Sequence, residues 1–232
     1  MPSKVNVEAN QLSSEDYIWH ISRNGGNHLR GLALLIRKNL DIAIINMDST
    51  NANIQLTEIS LPIHGRKRIL FIINFHAPNH GFATFLNSFG RCVLSVQNQK
   101  NLICLGDTNA QIGKDDTANG DKHIFGKFIG HTRSNANGEQ LKYFLRRHNL
   151  ALRTTMSNKS LLVTWARGNK ETQIDHIMTK VNCRIFLKKV QANWISPVNT
   201  DHKMLSCLIN ISGNSPRMAF NSKKIVTERN GT

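Results

Sequence analysis

The sequence predicts many strands with a few helices packed outside them, which is an α+β fold or a layered α/β/α sandwich. Apolar runs rich in Ile, Leu and Val recur at strand length along the chain, and two segments instead place apolar residues at helical spacing. Polar clusters stand at or just after the ends of several predicted strands. Helices with one apolar face, set between such strands, favour packing against the outside of a sheet.

The first half of the chain contains four predicted strands, at 31–39, 41–48, 54–61 and 66–78. Short turns with Asn or Asp separate the first three, which favours antiparallel neighbours. The fourth is a longer apolar run, typical of a strand covered on both faces.

The apolar spacing predicts a first helix over 82–97, followed by a strand at 102–107, so the local order is strand, helix, strand. A second helix is predicted over 138–150, and its apolar stripe consists of Leu141, Phe144, Leu145 and His148. The remaining strands are predicted at 151–155, 161–167, 172–179 and 201–211.

The charge of the chain is strongly positive. Thirty Lys and Arg residues stand against 15 Asp and Glu residues, a formal net charge of +15 in 232 residues. Such an excess predicts a polyanionic partner, nucleic acid above all, because Lys and Arg release the counterions that phosphates condense. The alternative is a charge that only keeps the protein in solution.

Cysteine usage and the termini indicate a protein of the cell interior. None of the four cysteines stands at CxxC spacing, which disfavours a zinc site and favours an intracellular location, nuclear or cytoplasmic. No apolar run approaches the roughly 18 residues of a membrane span, so no membrane association is expected. Residues 1–16 form a polar segment without a signal peptide, and residues 213–232 are expected to be a disordered basic tail.

Four polar clusters stand at the ends of predicted strands and are the candidates for chemistry: NFHAPN (74–79), GDTN (106–109), QIDH (173–176) and TDH (200–202). In an extended segment Asp107 and Asn109 point the same way, so together they can hold a hard cation or orient a water. The alternative for this pair is a plain Asx turn.

Histidines next to carboxylates are the second signal. Asp201 precedes His202, and a His steered by a carboxylate suits a general base or a phosphate ligand, although a solvated strand start is the simpler alternative. Asp175 and His176 point to opposite faces of a strand, so only one of them can join a site, and Asp175 can orient another His. His76 lies within an apolar strand, where a structural histidine is the simpler alternative.

The ordered motifs resemble the endonuclease/exonuclease/phosphatase superfamily, in particular the apurinic-type endonuclease domains of non-LTR retrotransposons and the craniofacial development protein 2-like host proteins derived from them. Those domains carry NxYAPN, GDFNA, NxNG-x2-L-x2-F, TW, QIDY and SDH in this order. The corresponding segments here are NFHAPN, GDTNA, Asn135 to Phe144, Thr164-Trp165, QIDH and TDH. The resemblance covers roughly residues 17 to 211.

The resemblance implies a four-layered α/β/β/α sandwich, the DNase-I-like fold, over residues 17–212. It implies hydrolysis of DNA phosphodiesters with Mg²⁺ or Mn²⁺ and without an organic cofactor. Asp107 would orient or deprotonate the attacking water, and Asn109 would hold a phosphate oxygen or the metal. Asp201 would complete the metal ligands.

The same resemblance assigns the remaining site residues. His202, oriented by Asp175, would contact and neutralise the phosphate, and His76 would touch the phosphate and help the leaving oxygen. The implied nucleic-acid contacts are Trp165, whose ring can stack on a sugar or base unless it belongs to the core, and Asn137.

The family's first two motifs, an Asn that ends the first strand and a metal-binding Glu, have no match ahead of Tyr17. Glu8 and Glu15 are nearby, but neither follows an apolar strand. The resemblance implies instead that residues 13–19, SSEDYIW, form the loop that follows the motif in the family. We therefore expect an N-terminally truncated domain that lacks its first strand and has impaired metal binding and turnover. The alternatives are a non-catalytic nucleic-acid-binding remnant of the same fold and, less compatible with the TW motif, a phosphatase.

Overall fold

The computed structural model describes residues 11–22, 31–63, 65–97, 101–114, 121–157, 162–183, 186–194 and 200–210. The expectations for Glu8 and for the tail at 213–232 lie outside the described residues. In chain order the strands and helices are β1 (Gln11–Ser13), β2 (Tyr17–Ile21), β3 (Ala33–Arg37), β4 (Ala43–Asn51), β5 (Ile54–Ile63), β6 (Arg66–His76), α1 (Phe82–Ser95), β7 (Leu102–Asp107), α2 (Ala136–His148), β8 (Leu150–Leu152), α3 (Thr154–Ser157), β9 (Trp165–Arg167), β10 (Lys170–Thr172), β11 (Asp175–Lys180), β12 (Phe186–Asn193) and β13 (Met204–Asn210).

A six-stranded sheet in the order β4-β5-β6-β7-β11-β8 forms the centre of the fold. β6 and β7 run parallel and are joined through α1, whereas the other neighbours are antiparallel. Both faces of β6 are covered, as its long apolar run predicts. Ile73 and Phe75 belong to the core on the helical face, and Leu70 belongs to the core on the opposite face.

Both long helices among the described residues pack on one face of this sheet. The fully buried ring of Phe89 in α1 stacks on Phe144 of α2 with 5.0 Å between ring centroids, and it lies 4.9 Å from Phe75 of β6. α2 begins two residues earlier than predicted because the side chain of Asn135 caps it by accepting a hydrogen bond from Gly138 N–H.

A second layer of strands covers the other face of the central sheet. It consists of a three-stranded sheet, β1-β2-β3, and a two-stranded ladder of β12 and β13. Ile36 of β3 and Val190 of β12 share a core with Ile103 and Ile177 of the central sheet. The α+β class is confirmed; a helical layer outside this second set of strands has no counterpart in the described ranges.

Two predictions in the first half were wrong. β3 does not pair with β4: its partner is β2, because Ile36 turns onto the core between the two layers. The expected loop at 13–19 contains the start of β2, which is held by β1 on one side and β3 on the other. Trp19 is apolar but exposed, so the sequence of β2 does not show the usual alternation of apolar and polar residues.

In the second half, the predicted strand at 151–155 gives way to the single-turn helix α3, in which Thr155 Oγ1 donates a hydrogen bond to the carbonyl of Leu152. The strand predicted at 172–179 is interrupted at Gln173, whose side chain bonds the backbone of Gly130 and Phe128 instead. No helix in the described part of the chain has the length and apolar character of a membrane span. The four cysteines are free thiols.

Candidate active site

The register of three neighbouring strands brings three predicted site residues side by side. His76 ends β6, Asp107 ends β7 and Asp175 begins β11. Asp107 lies opposite His76 on one side and opposite Asp175 on the other. The imidazole of His76 approaches Asp107 to 3.7 Å between Nε2 and Oδ2. The strand ends therefore converge on one place, as the polar clusters predict.

His202 enters the same place from the second layer, just before β13. A backbone bridge to Trp165 fixes its position. Its Nδ1 lies 3.0 and 3.1 Å from the two carboxylate oxygens of Asp175, so Asp175 orients the ring. This hydrogen bond raises the pKa of His202 against the opposing effect of burial. A protonated His202 directs Nε2–H away from Asp175, as a donor for an anionic ligand.

His176 points to the opposite face from Asp175, as predicted for adjacent residues in a strand. It is buried, its Nδ1 lies 2.8 Å from Thr154 Oγ1, and burial lowers its pKa to about 4. A neutral, buried imidazole of this kind is a structural residue, and it takes no part in the cleft.

Asp107 and Asn109 form an Asx turn that also faces the cleft. The backbone N–H of Asn109, which has a positive φ of 46°, donates to Asp107 Oδ1 at 2.8 Å. The side-chain amide of Asn109 donates to the carbonyl of Ala77 at 2.6 Å. Because the amide nitrogen is turned to the protein, Asn109 presents its oxygen as the group for a cation. The Asx turn is therefore present, and the role of this pair toward a cation or a water stays a prediction.

Gly106 allows β7 to lie directly against β6 at the site. A Cβ at this position would collide with the carbonyl oxygen of Phe75. Any side chain at residue 106 would therefore push Asp107 away from His76. The glycine of GDTN is part of the site's geometry for this reason.

Burial sets the charge state of Asp107. The residue is 9% exposed, and loss of water raises the pKa of its carboxyl to about 6. The nearby charge of Asp175 raises the pKa further, whereas the Asn109 N–H, His76 and His202 act in the opposite direction. A carboxyl with such a pKa can accept a proton near neutral pH, as a general base must.

Two buried threonines fix the backbone at the start of β11, next to the site. Thr164 Oγ1 accepts hydrogen bonds from the N–H groups of Ile174 and Asp175, both at 3.0 Å. Thr108 donates to the carbonyl of Ile174 through its N–H and its hydroxyl. These contacts tie the end of β7 to the start of β11, so the two carboxylates have fixed positions. The TW and GDTN motifs contain both threonines.

The structure separates the two expected nucleic-acid contacts. Trp165 lines the cleft. The side-chain amide of Asn137 donates to the carbonyl of Asn109 at 3.0 Å, and Asn137 is not among the residues that line the cleft. Asn137 therefore supports the Asp107–Asn109 turn, and its contact with nucleic acid stays a prediction.

The cleft has a volume of about 480 Å³ and is more polar than the sequence motifs indicate. Gln111, Arg167 and Thr172 line the cleft but lie outside the motifs, and Asn79 and Asn135 lie within the motifs without an assigned role. A signal exists for Asn79, which ends the NFHAPN cluster, and for Arg167, which stands two residues after Trp165 on the same strand. Arg167 adds a positively charged side chain to the lining of the cleft.

The donor set fits a divalent cation. One ligand atom each from Asp107, Asp175 and His202 lies within 4.8 Å of the others. Asp201, expected among the ligands, is outside this group, although its Oδ1 lies 3.9 Å from His202 Nε2. Carboxylate and amide oxygens suit Mg²⁺ and Mn²⁺. The two carboxylates also concentrate negative charge that a cation would neutralise.

No family model and no curated protein matches the sequence. Solved structures do share its fold. The endonuclease domain of TRAS1, a telomere-specific non-LTR retrotransposon, is 16% identical with a TM-score of 0.55, over 80% of this chain and 76% of that domain. Humanized D. rerio TDP2 is 13% identical with a TM-score of 0.51, over 84% and 77%.

A third similar structure is an endonuclease/exonuclease/phosphatase family protein from Bacteroides thetaiotaomicron. It is 11% identical with a TM-score of 0.51, over 84% of this chain and 73% of that protein. The chain therefore has the DNase-I-like fold of the endonuclease/exonuclease/phosphatase proteins, a fold that nucleases and phosphatases share.

We expect Asp175→Asn to lower the pKa of His202, because the hydrogen bond from Asp175 is the largest cause that raises it. The control is Asp201→Asn, which should lower it far less because Asp201 is the smallest contributor. NMR titration of the His202 ring C–H signals measures both. Equal shifts in the two variants would contradict this assignment.

The same pairing has a consequence for stability. The pKa of His202 is higher in the folded state than its unfolded value of 6.5. The His202–Asp175 pair therefore contributes its full stabilisation of the fold below pH 6.5. This contribution is lost as the pH rises through the folded-state pKa. The stability difference between the wild type and Asp175→Asn, measured by urea unfolding, should therefore shrink toward alkaline pH.

Proposed function

We propose that this cleft hydrolyses phosphodiester bonds in DNA with the help of Mg²⁺ or Mn²⁺. The observation that carries the proposal is the convergence of Asp107, the Asp175–His202 pair and His76 in one cleft. The net charge of +15 supports a nucleic-acid substrate. So does the fold shared with a retrotransposon endonuclease domain. We place the activity in residues 17–212, inside the cell, and its origin in a retroelement.

Asp107 is the proposed base in this reaction. A water held by its carboxylate attacks the phosphorus atom and gives a proton to Asp107, while the bond from phosphorus to the leaving oxygen breaks. The raised pKa of Asp107 makes the carboxylate basic enough to take this proton, and its Asx turn prevents it from rotating away.

The two histidines act on the phosphate itself. Protonated His202, held by Asp175, donates to a non-bridging oxygen and offsets the charge that develops in the transition state. His76, whose side chain is 52% exposed, reaches the leaving oxygen and delivers a proton to it. Arg167 and Trp165 bind the strand on either side through its backbone and a base.

The cation would be held by Asp107, the side-chain oxygen of Asn109 and Asp201. When bound, it neutralises phosphate charge and lowers the pKa of a water. Both oxygens of Asp175 already face His202 Nδ1, so Asp107 is the principal anionic donor. We therefore propose weak cation affinity and impaired turnover.

A second candidate is a nucleic-acid-binding protein that does not cleave. The excess of positive charge favours it, because charge alone supplies non-specific affinity for DNA. In that case the cleft residues would bind phosphate without activating water. The two candidates differ in cleavage and not in binding.

The purified chain is expected to nick supercoiled plasmid in Mg²⁺, and EDTA should abolish this activity. Asp107→Ala should lower the rate by at least about 100-fold, since it removes both the base and a cation ligand. Asp121→Ala is the matched control: Asp121 pairs with Arg146 and does not line the cleft, so the rate should be unchanged.

Nicking that survives in Asp107→Ala would contradict the proposal. Salt-sensitive DNA binding without nicking would support the non-cleaving candidate. Release of phosphate from a monoester without nicking would support a phosphatase.

Cation binding should weaken as the pH falls through about 6, because a proton on Asp107 excludes the cation. Titration of Mn²⁺ followed by electron paramagnetic resonance measures this at several pH values. The dissociation constant should rise roughly tenfold per pH unit in the acidic range. Asp107→Asn should bind weakly at every pH; a wild-type affinity independent of pH would refute the assignment.

A further inference from the structure

An apolar groove separates part of the second strand layer from the central sheet. Its floor is the face of β6, β7 and β11, with Ile103 and Leu105 among the lining residues, and its wall is the inner face of β13. The groove has a volume of about 310 Å³. Leu105 and Ile209 within it are 37% and 38% exposed, which is unusual for large side chains that face a core.

The backbone of β13 has an edge without a strand partner in the described part of the chain. β13 pairs with β12 on one side only, and β3, which packs on the same face of the central sheet, pairs only with β2. The second layer is therefore divided into two pieces. Strand edges carry unpaired N–H and C=O groups, and these accept another strand readily.

The side chains of β13 alternate in the way that a partner strand requires. Leu205, Cys207 and Ile209 line the groove, whereas Leu208, which is 53% exposed, points to the other face. A strand that pairs with β13 would lie about 4.8 Å from it within the second layer and would turn alternate side chains toward the floor of the groove.

We propose that this groove binds an extended segment of another polypeptide, which adds as a strand to the edge of β13. The segment would pair along the seven residues Met204–Asn210 and place apolar side chains at alternate positions in the groove. Acidic flanking residues suit it, because the chain carries a net charge of +15.

This docking site is distinct from the proposed reaction but reaches the same strands. Gly106 and Asp175, at one end of the groove, also belong to the structure of the cleft. A bound strand would therefore cover the apolar side of the strand ends that carry Asp107 and Asp175. The proposal does not depend on whether the cleft cleaves DNA.

The test uses a fluorescein-labelled peptide of about nine residues in which valine and threonine alternate between glutamate flanks. Fluorescence anisotropy should show saturable binding to the full chain. A peptide with proline at its centre should bind at least about tenfold more weakly, because it lacks a backbone N–H for the ladder. Hydrogen exchange should show new protection of the β13 amides.

Variants of neighbouring residues locate the site. Ile209→Lys should weaken binding at least about tenfold, and Leu208→Lys, on the other face of the same strand, should not. Thermal melting shows whether both variants fold. The proline peptide tests the same strand pairing with the unaltered chain, so it gives a result even if Ile209→Lys does not fold.

Four outcomes would overturn the proposal. The first is absence of peptide binding. The second is equal binding of a peptide with the same composition in scrambled order, which would show attraction by charge alone. The third is a concentration-dependent dimer of the chain that Ile209→Lys abolishes, which would identify a second copy as the occupant. The fourth combines two results: the peptide does not bind, and Ile209→Lys lowers the melting temperature strongly whereas Leu208→Lys does not. This would mean that another part of the same chain occupies the groove.

Discussion

The proposed chemistry depends on two carboxylates that lie opposite each other on neighbouring strands. Asp107 and Asp175 are paired in the register of β7 and β11, where like charges repel. Burial removes the water that would screen Asp107 and raises its pKa to about 6. His202 compensates Asp175, and Asp107 is left to take a proton or a cation. In the proposed reaction, a cation at Asp107 would offset the negative charge of the phosphate that enters the cleft.

The scaffold maintains this repulsive arrangement through buried contacts that take no part in the reaction. Gly106 keeps β7 against β6, Thr164 holds the backbone of Asp175, and Asn137 holds the carbonyl of Asn109. Such contacts cost the fold little once its core is formed, and they prevent the carboxylates from separating. A polar constellation of this kind is more precise on strand ends than on a free loop.

The strand ends that carry the site can be predicted from the sequence because each polar cluster stands beside an apolar run, which is a local pattern. His76, Asp107 and Asp175 follow from this pattern, whereas the orientation of His202 by Asp175 follows from the family resemblance. The role of Asn137 follows from neither, because its hydrogen bond to the backbone carbonyl of Asn109 leaves no pattern in the sequence. β12 is not predicted because adjacent Lys188 and Lys189 and a bulge, with a positive φ of 51° at Lys189, break its alternation. Arg167 escapes notice because only the folded cleft shows what it faces.

The most direct test of the central claim is a crystal structure of the chain with Mn²⁺ and a DNA strand that carries a slowly hydrolysed phosphorothioate. We expect anomalous density for the cation at Asp107 and Asn109 and a phosphate within hydrogen-bond distance of His202 Nε2. Cation and phosphate bound elsewhere, with the Asp107 carboxylate facing only solvent, would contradict the proposed roles of these residues.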